Sequence, residues 1–189
     1  MIGVKILAFL TLLVVGATAS AEGGRLYASV DWLSARLSEA ADPGDVIPTV
    51  RPNGIAFSVG YLVLPVVSVE ARLGMLATQY YDVIIAGERL FEKATWDYAA
   101  SLLLKTRLPM RQERFVPYAL GGVSRVQGRI SNPLVADSSV SGGETSLSYG
   151  AGIEFWLAPE WGAKLEVIRY YDGKGLRGDA AHAGILIRF

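Results

Sequence analysis

The feature that most limits how this chain can fold is an alternation of apolar residues with small or polar ones, which recurs in eight segments. Neighbouring side chains of a β-strand point to opposite faces of a sheet, so a period of two predicts strands with one apolar face. The eight segments are Arg25–Leu37, Gly54–Val63, Val67–Leu76, Thr95–Leu108, Phe115–Arg129, Ser146–Leu157, Trp161–Tyr171 and Ala181–Phe189. The sequence therefore predicts an all-β protein.

The connections between these segments alternate between short and long. The short ones are Leu64–Val66, Met110–Arg114 and Ala158–Glu160. The long ones are Ser38–Pro52, Ala77–Lys93, Ile130–Glu144 and Asp172–Asp179. This order predicts an antiparallel up-and-down meander with every long loop at one end and both ends of the meander at the other. No linker interrupts it, so we expect a single barrel domain over residues 22–189.

The N-terminal residues predict export. Lys5 precedes an almost unbroken apolar run, Ile6–Val15, and Ala19–Ala21 has the small residues of a cleavage site. This is the pattern of a secretory signal peptide, predicted to be removed after residue 21, and it is too short for a spanning helix. The chain has no cysteine, so no disulfide framework is available.

The charge balance excludes nucleic acid as an obvious partner. Without residues 1–21, the chain carries 17 basic and 18 acidic side chains, and no basic patch stands out. No later apolar stretch is as long as a spanning helix. A membrane role would therefore use strands.

The residues between the apolar positions indicate which face of the barrel meets water. They are mostly Gly, Ser and Ala with a few charges of both signs, whereas a water-facing exterior would be denser in charged side chains. Small residues and pairable charges suit the narrow interior of an eight-stranded barrel. We expect these charges, Asp31 among them, to form a salt-bridged plug; a selectivity-lining channel is the alternative. The predicted network is Glu70, Arg72, Asp97, Lys105, Arg107, Arg125, Glu154, Lys164, Glu166 and Arg188.

The aromatic residues predict two girdles on the apolar face, as in barrels that cross a bilayer. One set is expected near the long-loop end: Trp32, Trp96, Tyr98, Tyr149 and Tyr171. The other is expected near the short-turn end: Tyr61, Tyr118, Phe155, Trp161 and Phe189. A soluble lipocalin-like binding barrel, with its apolar positions inside, is the competing interpretation.

Three stretches carry a resemblance to a known family: "VPYALGGV" (Val116–Val123), "SYGAGIEFWLAPEWGAKLEVIRYYD" (Ser148–Asp172) and "ILIRF" (Ile185–Phe189). The chain resembles the eight-stranded outer-membrane β-barrel family of Gram-negative bacteria, which includes the OmpA transmembrane domain and the OmpX- and opacity-type surface proteins. The resemblance implies an eight-stranded antiparallel up-and-down transmembrane β-barrel in contact with outer-membrane lipid and lipopolysaccharide. It also implies that the barrel-assembly machinery reads a C-terminal signal, here Ala183, Ile185, Ile187 and Phe189.

Candidate chemistry is sparse, and we predict no catalytic, cofactor-binding or metal-binding residue. "GKGLRG" (Gly173–Gly178) matches a dinucleotide-binding pattern but is not followed by a predicted helix. His182 is the only histidine and falls at an inward position, and the His-x-Ser-Asn motif of barrel lipid A deacylases is absent. A lipid A-modifying enzyme is kept as an alternative.

Two features of the long-loop end could meet a partner. Arg125 and Arg129 could bind lipopolysaccharide phosphates. The loops are also unusually apolar and could form a partner or adhesion surface, through Tyr80, Tyr81, Val83, Ile84, Ile85, Leu90 and Phe91.

Overall fold

The computed structural model describes residues 25–39, 51–85, 88–108, 114–131, 139–173 and 176–189. Within them, no helix has the length and apolarity needed to cross a membrane. The predicted signal peptide lies outside the described residues. The strands are β1 (Leu26–Glu39), β2 (Asn53–Leu64), β3 (Val67–Leu76), β4 (Gln79–Ile85), β5 (Glu88–Arg107), β6 (Phe115–Ser131), β7 (Ser139–Trp156), β8 (Trp161–Gly173) and β9 (Leu176–Arg188).

The strands close into an eight-stranded antiparallel barrel, as predicted. Consecutive strands pair with one another except β3 and β4, β1 also pairs with β9, and β3 pairs with β5. β4 continues the line of β3 beyond the ring and pairs only with the outer half of β5. Among the described strands, closure leaves the ring itself without an open edge, which a lipid environment requires because it offers no partners to backbone N–H and C=O groups.

The last residues of the chain complete this closure. Tyr27 on β1 lies opposite Arg188 on β9, and the backbone N–H of Phe189 donates to the carbonyl of Leu26 at 2.9 Å. The N–H of Arg188 donates to the carbonyl of Glu160 at 2.7 Å. The C-terminal run is therefore held between β1 and β8.

Three of the predicted long loops are mostly strand. The β4–β5, β6–β7 and β8–β9 hairpins run outward as far as Ile85, Ser131 and Gly173 before they turn. The alternation predicted their inner parts only, because a strand beyond the bilayer can have water on both faces and needs no apolar one. Most of the fourth predicted loop, residues 40–50, lies outside the described residues. The end with these hairpins is called the extended end below, and the other the short-turn end.

The predicted orientation of the two faces is confirmed for every segment except the fifth. Outward apolar side chains such as Trp32 (59% exposed), Leu147 (75%) and Leu165 (63%) form the outer wall. The alternate positions are buried inside the barrel, for example Ser29 and Ser58. The polar and small residues therefore line the lumen.

On β6, the predicted orientation is wrong. Tyr118 and Leu120 are buried in the lumen, whereas Val123 and Arg125 are exposed on the outside. The prediction failed because both faces of this strand carry apolar residues, so alternation does not distinguish them. Tyr118 consequently leaves the predicted girdle and Arg125 leaves the predicted lumen network.

The other girdle positions follow the prediction where the structure describes them. Trp32 and Tyr149 are exposed toward the extended end, and Tyr98 is half-buried. The side chains of Trp96 and Tyr171 lie outside the described residues. Exposed aromatics near the short-turn end are Tyr61, Phe155, Trp161 and Phe189.

Candidate lumen charge network

Closure of the barrel brings charged side chains from five strands into the lumen. They come from β1, from the adjacent strands β3 and β5, and from the adjacent strands β7 and β8, so they reach the lumen from different sides of the barrel. All are buried: Asp31, Glu70, Arg72, Lys105, Arg107, Glu154, Lys164 and Glu166. Unpaired charges in such a space would be very unfavourable, so their partners decide what the lumen can do.

Arg72 connects opposite walls of the barrel. Its Nη2 lies 2.6 Å from Oε1 of Glu70 on the same strand and donates to Oε2 of Glu166 on β8 at 3.0 Å. Its Nη1 forms an ion pair with the same Glu166 and donates to the hydroxyl of Tyr170 at 3.2 Å. This fork-like contact with Glu166 is the geometry in which arginine binds carboxylates most strongly.

Lys105 and Arg107 extend the network toward the short-turn end. The Nζ of Lys105 lies 2.7 Å from Oε2 of Glu70 and 3.2 Å from Oε1 of Glu154. Nε of Arg107 lies 3.2 Å from Oε2 of Glu154, which also accepts a 3.3 Å bond from Nε1 of Trp156. Glu154 therefore has partners on β5 and on its own strand.

A further ion pair joins β1 to β8. Nζ of Lys164 lies 2.9 Å from Oδ2 of Asp31, and Nδ1 of His182 is 3.8 Å from the same oxygen. Nε2 of His182 is hydrogen-bonded to the hydroxyl of Tyr170 at 2.9 Å. Because Tyr170 also contacts Arg72, the side chains form one connected system.

Three tyrosines complete the network, and sequence reasoning missed all three. The hydroxyl of Tyr27 donates to Oε2 of Glu70 at 3.0 Å, and that of Tyr118 donates to Oε2 of Glu166 at 2.8 Å. Nζ of Lys105 lies 4.7 Å from the Tyr27 ring centroid and 4.6 Å from that of Tyr118. The sequence signal that could have revealed Tyr27 and Tyr170 is that each is an aromatic residue at a position predicted to point inward. Tyr118 gives no such signal, because it falls among the apolar positions of β6.

Glycines leave room for these rings. A Cβ placed on Gly152 would lie 2.5 Å from Cζ of Tyr118, and one on Gly60 would collide with the Tyr27 ring. Glycine at these two positions therefore provides the space that the tyrosine rings occupy.

Apolar side chains pack inside the barrel on both sides of the charges. Toward the extended end, a cluster includes Leu33, Leu103, Leu120 and Ile168. Toward the short-turn end, Tyr27, Trp156 and Leu186 are packed together with Val116 against them. The four acidic groups of the network (Asp31, Glu70, Glu154, Glu166) balance its four basic ones (Arg72, Lys105, Arg107, Lys164).

The structure places the other predicted network residues differently. The prediction that Arg125 lies in the lumen is wrong: its side chain is exposed on the outer wall, because the orientation of β6 is opposite to the predicted one. Arg188 is half-buried at the short-turn end, where its guanidinium carbon lies 4.0 Å from the Trp156 ring centroid. The side chains of Asp97 and Arg129 lie outside the described residues. Asp31, which was expected among the plug charges, takes part, and so does His182, which was not predicted to do so.

The predicted assembly residues share the outer face of β9. Ala183, Ile185, Ile187 and Phe189 are all exposed there. The "GKGLRG" stretch begins at the last residue of β8 and ends inside β9, so it continues as a strand rather than a helix, which removes the phosphate-binding context of that motif. Among the described residues, no group of three or more His, Cys, Asp or Glu side chains could hold a metal ion.

Comparison with known proteins identifies the architecture. The family described as "Outer membrane protein beta-barrel domain" matches residues 6–189. A sequence search of curated proteins finds no match.

Solved structures share the fold at low sequence identity. Ail, the attachment invasion locus protein of Yersinia pestis, is 19% identical with a TM-score of 0.59, and the match covers 88% of this chain and 99% of Ail. The Neisserial surface protein A is 15% identical (TM-score 0.63, covering 87% and 97%). OprG from Pseudomonas aeruginosa is 12% identical (TM-score 0.61, covering 88% and 96%). Ail has also been solved in complex with the heparin analogue sucrose octasulfate.

Proposed function

Because this chain belongs to the outer-membrane β-barrel family, we propose that it is a non-enzymatic barrel with a sealed lumen and a structural or interactive role at the cell surface. The family places it in the outer membrane of a Gram-negative bacterium. There the extended end faces the cell exterior and the short turns face the periplasm.

The connected lumen network carries the proposal of a sealed lumen. Arg72 contacts Glu166 on the opposite wall, so the side chains cross the barrel axis instead of lining it. An ion that entered would have to displace paired groups, and apolar layers lie on both sides of them. A conducting pore instead needs sites that an ion can enter and leave.

Planar-bilayer recording tests this proposal against a narrow pore. The wild type should insert without steady current. The matched variant, Arg72→Ala with Glu166→Ala, removes both partners of the cross-lumen contact and should produce discrete current steps. Heat-modifiable gel mobility verifies that both proteins are folded. A steady ohmic current from the wild type would overturn the sealed lumen.

The geometry of His182 supports a non-enzymatic role over lipid A modification. Its ring is buried in the lumen, hydrogen-bonded to Tyr170 and near Asp31. A lipid substrate would approach the outer wall, and a general base must lie within hydrogen-bond reach of the proton it abstracts. The only histidine of the chain is on the wrong side of the sheet for such a substrate.

The strands that continue beyond the ring support a surface interaction. β4 and the outer half of β5 form a hairpin outside the closed barrel, and Tyr80 on it is 58% exposed. Ail, which shares the fold, binds a heparin analogue in a solved complex, so a barrel of this architecture can hold a ligand.

Export and assembly complete the proposal. Residues 1–21 would be removed during export, leaving the barrel domain of residues 22–189. Ala183, Ile185, Ile187 and Phe189 would act as the signal for the barrel-assembly machinery. Their common exposure on the outer face of β9 supports this role, because a recognition factor can reach them before β9 pairs with β1.

A further inference from the structure

The outer wall carries a polar row near the extended end. Arg36, Asp179, Arg169 and Tyr149 lie opposite one another in register across β1, β9, β8 and β7. Nε of Arg169 lies 2.7 Å from Oδ1 of Asp179, and its Nη1 donates to the Tyr149 hydroxyl at 3.3 Å. Arg36 is exposed in the same row.

The next row toward the middle of the barrel is made of smaller residues. Ser34, Ala181, Val167 and Ala151 follow one another across the same strands. One row further, Trp32 is 59% exposed and limits the depression. The result is an open groove of about 860 Å³ that includes both the polar row and the small row.

The groove is positively charged. Its lining includes Arg36, Arg51 and Arg169 but a single acid, Asp179, which is already paired with Arg169. Arg51 is exposed beside Pro52, whose carbonyl accepts the backbone N–H of Ala35 on β1. Arginines on the lipid side of a barrel are tolerated near the interface and favour anionic lipid there.

We propose that this groove binds a phosphorylated lipid of the outer leaflet, with phosphate on Arg36 and Arg51 and an acyl chain along Ser34, Ala181 and Ala151. The two rows are two residues apart along each strand, or about 7 Å, so one lipid can reach both. Tyr149 marks the headgroup level, because exposed tyrosines of barrels lie at the membrane interface. Guanidinium groups bind phosphate through paired hydrogen bonds, which favours a phosphomonoester over a zwitterionic headgroup whose phosphate is esterified and lies beside a cation.

Spin-labelled lipids test the site on the whole barrel in phosphatidylcholine vesicles. The motionally restricted fraction of labelled phosphatidic acid is compared with that of labelled phosphatidylcholine. The wild type should prefer phosphatidic acid, and Arg36→Gln with Arg51→Gln should lower the preference about five-fold or more, given the usual contribution of one arginine at a membrane surface. Arg114→Gln is the matched control: it removes an exposed arginine at the short-turn end that does not line the groove and should keep the wild-type preference.

Two further measurements separate a lipid site from general charge attraction. Ala181→Leu fills the small row without touching an arginine and should lower the preference as well. Glycerol phosphate in solution should not displace the labelled lipid, because it lacks the acyl chain. The proposal is overturned if the wild type shows no preference, if Ala181→Leu keeps it, if Arg114→Gln lowers it equally, or if glycerol phosphate competes. Heat-modifiable mobility identifies any variant that fails to fold, and the single variants Arg36→Gln and Arg51→Gln then replace the double one, with Ala181→Val in place of Ala181→Leu.

Discussion

At the scale of single residues, the lumen depends on matched charges. Each acid contacts at least one base, and Tyr27, Tyr118 and Tyr170 donate or accept additional bonds. Replacing a buried ion pair by apolar groups can be nearly neutral, whereas removing one partner leaves an uncompensated charge. The network should therefore respond very differently to single and paired substitutions.

Asp31 and Lys164 offer the cleanest pair for this test, because their 2.9 Å contact joins two strands that are not adjacent. Lys164→Met alone should lower the free energy of unfolding by about 3–5 kcal/mol. Asp31→Leu combined with Lys164→Met should recover most of that loss. Urea unfolding in lipid vesicles measures both, and equal losses in the single and double variants would contradict the pairing.

At the scale of elements, alternation predicts a strand only where its two faces meet different surroundings. It placed the membrane part of seven segments correctly, because lipid lies on one side and the packed lumen on the other. It failed on β6, where Phe115 and Val123 are outside while Tyr118 and Leu120 are inside. It also missed the outer parts of β4–β7, where no apolar face is required. Pairing partners across the lumen, such as Arg72 with Glu166, depend on closure and cannot be derived from local pattern.

Two glycines on paired strands test the orientation of β6. Gly152→Ala would place a Cβ 2.5 Å from the Tyr118 ring and 2.6 Å from the Leu165 carbonyl oxygen, so it should cost about 1–3 kcal/mol of stability through overpacking, and adding Tyr118→Leu should recover the part that comes from the ring. Gly121→Ala is the control, because its Cβ would meet only the Ser148 carbonyl oxygen at 3.8 Å. Thermal or urea unfolding in vesicles compares the stabilities of the two variants. The reverse order of stabilities would support the orientation of β6 that the sequence predicted.

At the scale of the whole molecule, the barrel has three concentric layers. Apolar side chains face the lipid, the closed sheet lies beneath them, and the interior contains balanced charges joined by ion pairs and hydrogen bonds. Composition alone indicated this arrangement, because small residues and balanced charges at one set of positions suit a narrow interior. The outer groove was not predicted, since Arg36, Arg51 and Arg169 are far apart in the chain and meet only after β1, β8 and β9 are paired. The lipid-facing wall and the proposed seal of the lumen both depend on which face of the sheet points outward.

Tryptophan quenching by brominated lipids tests that orientation most directly. Variants that retain one tryptophan each, with the others changed to Phe, compare Trp32 and Trp161 on the outer wall with Trp156 inside, which is 6% exposed. Bromine in the acyl chains should quench Trp32 and Trp161 strongly and leave Trp156 nearly unchanged. Strong quenching of Trp156 together with protection of Trp32 and Trp161 would contradict the account.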